Sequence, residues 1–197
     1  MYSSSIQNLI NELKKLPSIG QRSAERFVFH WLKKGKGDVA ELKLALDELL
    51  ENVKSCKTCW DFTDDEYCQI CNDKKRDHST ICVVSSSQDL QTIEGIREYN
   101  GVYHVLRGLI NDIEYANSPN VKIKELIERI KKEDVKEIIL ALNPNLAGET
   151  TTLLIQKNIK DLNPDIKITK LARGLPMGSD LQYADEITLG SALKNRN

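Results

Sequence analysis

"CKTCWDFTDDEYCQIC" (56–71) holds four of the chain's five cysteines, in two C-x-x-C pairs separated by eight residues. Four thiolates at this spacing can enclose one Zn2+ tetrahedrally, and the intervening residues suffice to loop back. Two disulfides, or no ligand at all, are the alternatives. The start of the chain, "MYSSSIQNLINELKK", shows no charged segment followed by an apolar run and a small-residue cleavage site, so no signal peptide is expected. In the reducing cytoplasm that this implies, paired C-x-x-C motifs point to metal. The expected ligands are Cys56, Cys59, Cys68 and Cys71. Four sulfurs leave no position open for water or substrate, so the ion would be structural. Cys82, inside "TICVV", reads instead as a small buried hydrophobe.

On either side of the cluster the texture of the sequence differs. Upstream, Ile6, Leu9, Ile10, Leu13 and Leu16 fall on one face of an amphipathic helix. "LPSIGQ" interrupts it, because Pro17 cannot continue the ladder and Gly20 permits a turn. Ala24, Phe27, Val28, Trp31 and Leu32 predict a second helix, and "KKGKGD" ends it. Asp38 is placed to cap a third helix, which runs through Leu42, Leu46, Leu49, Leu50 and Val53. Residues 1–54 thus read as a small helical domain.

Downstream, the short β-branched run "TICVVS" (80–85) predicts a buried strand. Helix, strand and helix follow in "QDLQTIEGIREY", "GVYHVL" and "VKIKELIERIKK". "KEIILAL", "GETTTLLIQKNIKDL" and "IKITKLA" add strand, helix and strand. Such alternation implies βαβ units, a mostly parallel sheet and helices on both faces. Residues 107–121 carry little periodicity and read as a long mobile loop. The tail mixes turns with a short final helix. The fold class is therefore α/β with small modules. Its expected divisions are 1–54 helical, 55–78 cysteine module, 79–173 α/β domain and 174–197 C-terminal segment.

The chain carries a net charge of −1 and 40% hydrophobic residues, an ordinary composition for a protein with a real core. No apolar run approaches the ~20 residues of a membrane span. Charge is nevertheless segregated. Residues 1–37 hold seven Lys/Arg against two acids, whereas 38–71 hold three against nine. Either this marks a basic working surface at the front or it reflects solvated helix faces.

"LKKLPSIGQRSAERF" (13–27) sharpens the choice. A Gly-containing hairpin leaves free backbone N–H groups at the start of the second helix, and with the helix dipole these suit a phosphate. Arg22 and Arg26, four apart, share a face beside that point, and Lys14 and Lys15 extend it. Such contacts hold a sugar–phosphate backbone without reading its sequence. An αα-hairpin that merely packs two helices is the other reading.

The hairpin resembles the helix-hairpin-helix DNA-binding motif. With the four-cysteine knuckle, "EIILALNP", "NPNLAGE" and the tail "ARGLPMGSDLQYADEITLGSAL", the chain resembles the RecR family of bacterial recombination mediators over nearly its whole length. The resemblance implies a Toprim α/β domain, a homotetrameric ring that encircles or clamps duplex or gapped DNA, and partnership with RecO and RecF. Together these would help RecA replace single-strand-binding protein at gaps. Arg22 and Arg26 match the family's DNA-contacting positions. Where the family hairpin is usually Pro-Gly-hydrophobic-Gly-Pro, this chain has Pro17-Ser18-Ile19-Gly20-Gln21, and the Cβ of Ser18 makes a positive φ harder.

Catalytic Toprim domains hold Mg2+ with a Glu after the first strand and an Asp-x-Asp after a later one. This chain has Ser85 for the Glu, Asn143 and Asn145 for the aspartates, and Ala147 where many relatives keep an acid; Glu149 remains. Two amides, a hydroxyl and one carboxylate make a poor site for a hard divalent ion. No catalytic residue is therefore named, and a Mg2+-dependent nuclease or primase stands as the alternative, beside a zinc-stapled adaptor without DNA affinity. Glu149 and Asn143 would face partner proteins, unless Asn143 merely caps the next helix with Glu149 in its first turn. The histidines give no acid–base pair: His30 ends a helix, His78 sits in a charged turn and His104 in an apolar strand.

Overall fold

The computed structural model describes residues 2–111, 120–172, 174–175, 177–178, 180–194 and 196. It divides into two compact units, Met1–Val53 and Lys54–Asn197.

The first unit is helical: α1 (Ser4–Leu13), α2 (Gln21–Lys34) and α3 (Lys36–Asn52). Its core is Ile10, Ala24 and Val28, with Ile6, Leu13 and Ile19 packed against them. The α1 helix stops at Leu13 rather than continuing through Leu16, which is exposed. Pro17 disfavours a helical conformation at the residue before it. Phe27 and Leu32, expected on the buried face of α2, are exposed as well. Asp38 does not cap α3. Gly35, at φ 100°, holds the N-cap position, and Asp38 lies in the first turn, where Lys34 pairs with it at 3.6 Å. The apolar face of α3 finds no cover in this unit: Leu42, Leu46, Leu49 and Leu50 are 40–80% exposed.

The second unit opens with a two-stranded antiparallel ribbon, β1 (Lys54–Ser55) and β2 (Phe62–Thr63), and a single-turn helix α4 (Gln69–Asn72). Then follow β3 (Asp77–Val84), α5 (Ser87–Ile96), β4 (Gly101–Val105), α6 (Ile123–Lys132), β5 (Glu137–Ala141), α7 (Leu146–Leu162) and β6 (Lys167–Lys170). A 3-10 turn (Leu181–Tyr183) and α8 (Glu186–Lys194) end the described chain. All the pairings among β3 to β6 are parallel, in the order β4-β3-β5-β6.

Side chains on β3 alternate between the two faces, as extended backbone requires. Ile81 and Val83 join α6 and α7 residues such as Leu126, Ile130, Ile155 and Ile159 in one buried cluster. Cys82 and Val84 join Leu90 of α5 in the other. Each fully buried Ile or Leu contributes about 2 kcal/mol. Cys82 is the small buried hydrophobe expected, and burial pushes its thiol up to about 12. The α5 helix starts on a reciprocal capping box between Ser86 and Asp89, and ends before Arg97, which is left-handed at φ 61°. The loop expected at 107–121 falls largely on 112–119, outside the described residues.

Candidate nucleic-acid interface, cysteine cluster and sheet-end cleft

In the helical unit, the chain between α1 and α2 turns through Ser18 at φ 63°. A residue with a Cβ thus occupies a left-handed position, at a cost of about 1–2 kcal/mol. The α2 helix begins at Gly20 with no side-chain cap. Its first N–H groups therefore face outward without the usual Ser, Thr, Asp or Asn acceptor. No atom lies within 4 Å of where a Gly20 Cβ would stand, so the approach to these groups is open. Arg22 and Arg26 are exposed one turn apart beside them. Lys14 is exposed too, while Lys15 pairs with Glu12 at 2.7 Å. Arg22 and Arg26 thus lie in the first two turns of α2, and Lys14 and Lys15 follow the end of α1.

In the second unit, the turn after β1 and the start of α4 converge four sulfurs. The Sγ atoms of Cys56, Cys59, Cys68 and Cys71 all lie within 4.8 Å of one another, and could hold a metal ion. The first three are buried, and none of the four forms a disulfide. Backbone N–H groups already point at sulfur: Cys68 N donates to Cys56 Sγ at 3.3 Å and Cys71 N to Cys68 Sγ at 3.5 Å. These donors favour thiolate, the form a metal takes. The donor set fits a soft, tetrahedral ion with no open position.

The cysteine module is tied to the end of β4. Val105 N donates to Cys59 O at 2.7 Å, and Arg107 Nε to Trp60 O at 2.8 Å. The Arg107 guanidinium lies 4.2 Å from the centroid of Phe62, and Lys122 Nζ lies 4.7 Å from that of Trp60. Ser87 donates to Asp61.

Beside these ties, the carboxyl ends of β3, β4 and β5 open into a cleft of about 930 Å3, lined by residues including Phe62, Ser85, Arg107, Lys122 and Asn145. Two cations and no carboxylate line it among the described residues. Ser85 donates to Asp89. Asn145, not Asn143, caps α7, accepting from Gly148 N at 2.9 Å. Asn143 O instead accepts from Asn145 N, and a Cβ on Gly148 would stand 1.9 Å from that oxygen. Glu149 lies in the first turn of α7, as one of the two readings expected, and pairs with Lys170 at 3.5 Å. Ser85, Asn145 and Ala147 reach one cleft, whereas Asn143 and Glu149 line a smaller one beside Asp89.

His104 is fully buried, with Nε2 2.8 Å from Lys122 O and Nδ1 without a partner. Burial holds its pKa down to about 3, so the imidazole is neutral. Three residues of these sites carry no signal that the sequence reading used: Asp89, Arg107 and Lys122. The S-x-x-D spacing after a strand could have found Asp89. Nothing periodic marks Arg107.

A RecR helix-hairpin-helix model matches residues 6–50, a Toprim domain model 79–172 and a RecR C-terminal model 174–197. The recombination protein RecR of Rubrobacter xylanophilus is 43% identical over 195 residues, covering 99% of this chain and 97% of that protein. The RecR of Staphylococcus aureus is 43% identical over 195 residues, covering 99% and 98%. That of Gloeobacter violaceus is 43% identical over 196 residues, covering 100% and 98%.

Proposed function

Because the chain belongs to the RecR family of recombination proteins, we propose that it is a non-enzymatic DNA clamp in recombinational repair. It acts with RecO and RecF to help load RecA at single-strand gaps, in the cytoplasm. No helix among the described residues is long and apolar enough to cross a membrane.

The observation that carries the DNA reading is the uncapped start of α2 with exposed Arg22 and Arg26 beside it. Backbone N–H groups and guanidiniums together suit phosphate and ignore base sequence. Lys14 and Lys15 add to the local charge. One such hairpin is a weak site, and several copies arranged around one DNA gain affinity through avidity. The uncovered leucines of α3 give a homotetrameric ring apolar surface to bury. The working division is a hairpin domain at 1–54, a cysteine module at 55–78, the Toprim domain at 79–173 and a C-terminal segment at 174–197.

The metal is Zn2+, one per chain, held by Cys56, Cys59, Cys68 and Cys71. Its role is structural, since four thiolates exclude a reacting ligand. Among the described residues the Toprim cleft is lined by two cations and no carboxylate, the wrong charge to hold Mg2+. Without that ion the cleft would lack a metal-activated water for phosphodiester cleavage. The neighbouring surface around Glu149 and Asn143 then serves partner proteins.

The test is fluorescence anisotropy on a gapped duplex across a salt series, with and without Mg2+, followed by a denaturing gel. Intact DNA, and binding that Arg22→Ala/Arg26→Ala weakens while lowering the log–log salt slope by about 2, is the expected result. Binding untouched by the double substitution would move the grip away from the hairpin. Absence of binding would favour a protein-only adaptor, and Mg2+-dependent cutting would mean an enzyme.

A further inference from the structure

The exposed side of α2 carries more than cations. Arg22, Arg26, His30 and Lys33 follow one another at spacings of four, four and three, and so form a stripe along one side of the helix. Among the described residues no carboxylate pairs with Arg22, Arg26 or Lys33. Aromatic rings border the stripe on both sides. On one side, Phe27, three residues from His30, stacks with Trp31 at a centroid distance of 6.3 Å and an interplanar angle of 27°. On the other, Phe29 is three residues from Arg26 and four from Lys33, and meets Tyr2 edge to face at 5.2 Å. None of these four rings belongs to the hairpin core of Ile10, Ala24 and Val28. Phe27 is 36% and Tyr2 43% exposed. Phe27 and Phe29 thus flank an unpaired basic stripe, one on each side, while Trp31 lies beyond Phe27, half-buried like Phe29.

We infer that this face of α2 is a stacking platform for single-stranded DNA, with phosphates along Arg22, Arg26 and Lys33 and unstacked bases on the Phe27–Trp31 and Phe29–Tyr2 rings. The inference rests on the hairpin reading above and names its substrate. Alternating cations and π-faces are what a sequence-tolerant single-strand site needs. In a duplex each base face is covered by its neighbours, so the rings would have nothing to stack on. From Arg22 to Lys33 the helix rises about 16 Å at ~1.5 Å per residue. The positive stripe also selects among occupants for an aromatic face, because a second copy of the same stripe would be repelled by it.

The experiment uses the full chain with Trp60→Phe, which leaves Trp31 as the reporting indole. A labelled oligothymidylate and a labelled blunt duplex of equal length are titrated at low salt, reading DNA anisotropy and Trp31 emission together. The expected result is quenching of Trp31 by the oligothymidylate alone. Phe27→Leu should weaken that complex about tenfold, leave the duplex within about twofold, and be rescued by Phe27→Tyr. Binding abolished by Arg22→Ala/Arg26→Ala but indifferent to Phe27→Leu, with Trp31 unquenched, would overturn the platform and leave the hairpin reading intact. Loss of the hairpin reading itself would show as binding indifferent to the arginine pair, and the platform would fall with it. A change of oligomeric state in sedimentation on Phe27→Leu, without any effect on DNA, would assign the face to contacts between copies and overturn the inference.

Discussion

Arg107 Nε donates to the carbonyl of Trp60 at 2.8 Å, across 47 positions of sequence, while its guanidinium covers Phe62. One side chain therefore fastens the cysteine module to the end of β4. Arg107→Ala removes a charge-assisted hydrogen bond and a cation–π contact, and is expected to cost about 2–3 kcal/mol in urea unfolding. Arg107→Lys keeps the charge but not the fixed fork, and should fall between the two.

Two cysteine substitutions separate metal binding from packing. Cys59→Ser is expected to lose the bound metal, measured by atomic absorption on purified protein, and to lower the thermal midpoint, because binding energy in such a site is folding energy. Cys82→Ser should retain one metal per chain. Its cost is about 1–3 kcal/mol, from a hydroxyl placed in an apolar strand. Equal metal loss in both would contradict the assignment of the four ligands.

Ser18 holds a conformation that Gly adopts freely. Ser18→Gly removes about 1–2 kcal/mol of left-handed strain but adds about 0.5–1 kcal/mol of chain entropy to the unfolded state. A net gain of up to ~1 kcal/mol is expected in chemical unfolding. Gapped-duplex affinity should tighten as well, since the backbone of the hairpin becomes easier to approach.

The buried His104 gives an acid signature. Its folded pKa, about 3, lies below the ordinary 6.5. The unfolded chain therefore binds the extra proton between these values, and folding stability present above pH 6.5 is lost as pH falls through that window. The slope approaches ~1.4 kcal/mol per pH unit. His104→Gln can still donate to Lys122 O and does not titrate. Its unfolding curves should lose that slope between about pH 4 and 6.5, above the range where carboxylates such as Asp77, lowered to about 2 by hydrogen bonds from Ser79 and Thr80, come into play.

Much of this molecule is legible in its sequence where a residue's role depends on near neighbours. The strand read at 80–85 and the helices read at 121–132 and 148–162 lie within two to three residues of the observed elements, and the cysteine spacing names its own cluster. Reading fails where long-range or backbone terms decide. Asn143 and Asn145 are equivalent as candidate caps until Asn145 Oδ1 is found on Gly148 N. The leucines of α3 look like a core face, yet the helical unit is too small to cover them. Arg107 belongs to no pattern because its partners, Trp60 and Phe62, lie far back in the chain.

The strand order β4-β3-β5-β6 also sets a timetable. The partners within the α1–α2 hairpin are all made by residue 34, so this hairpin forms early in synthesis. β3, by contrast, is a central strand whose second partner begins at Glu137 and whose sheet closes only with β6 at Lys170. Parallel pairing of this kind is slow, because distant segments must meet before any contact rewards them. Between the emergence of "ICVV" and that of β5, the buried half of β3 has an open edge on the ribosome. That interval is where a nascent chain of this kind is most exposed to mispairing, and where a chaperone has the most to cover.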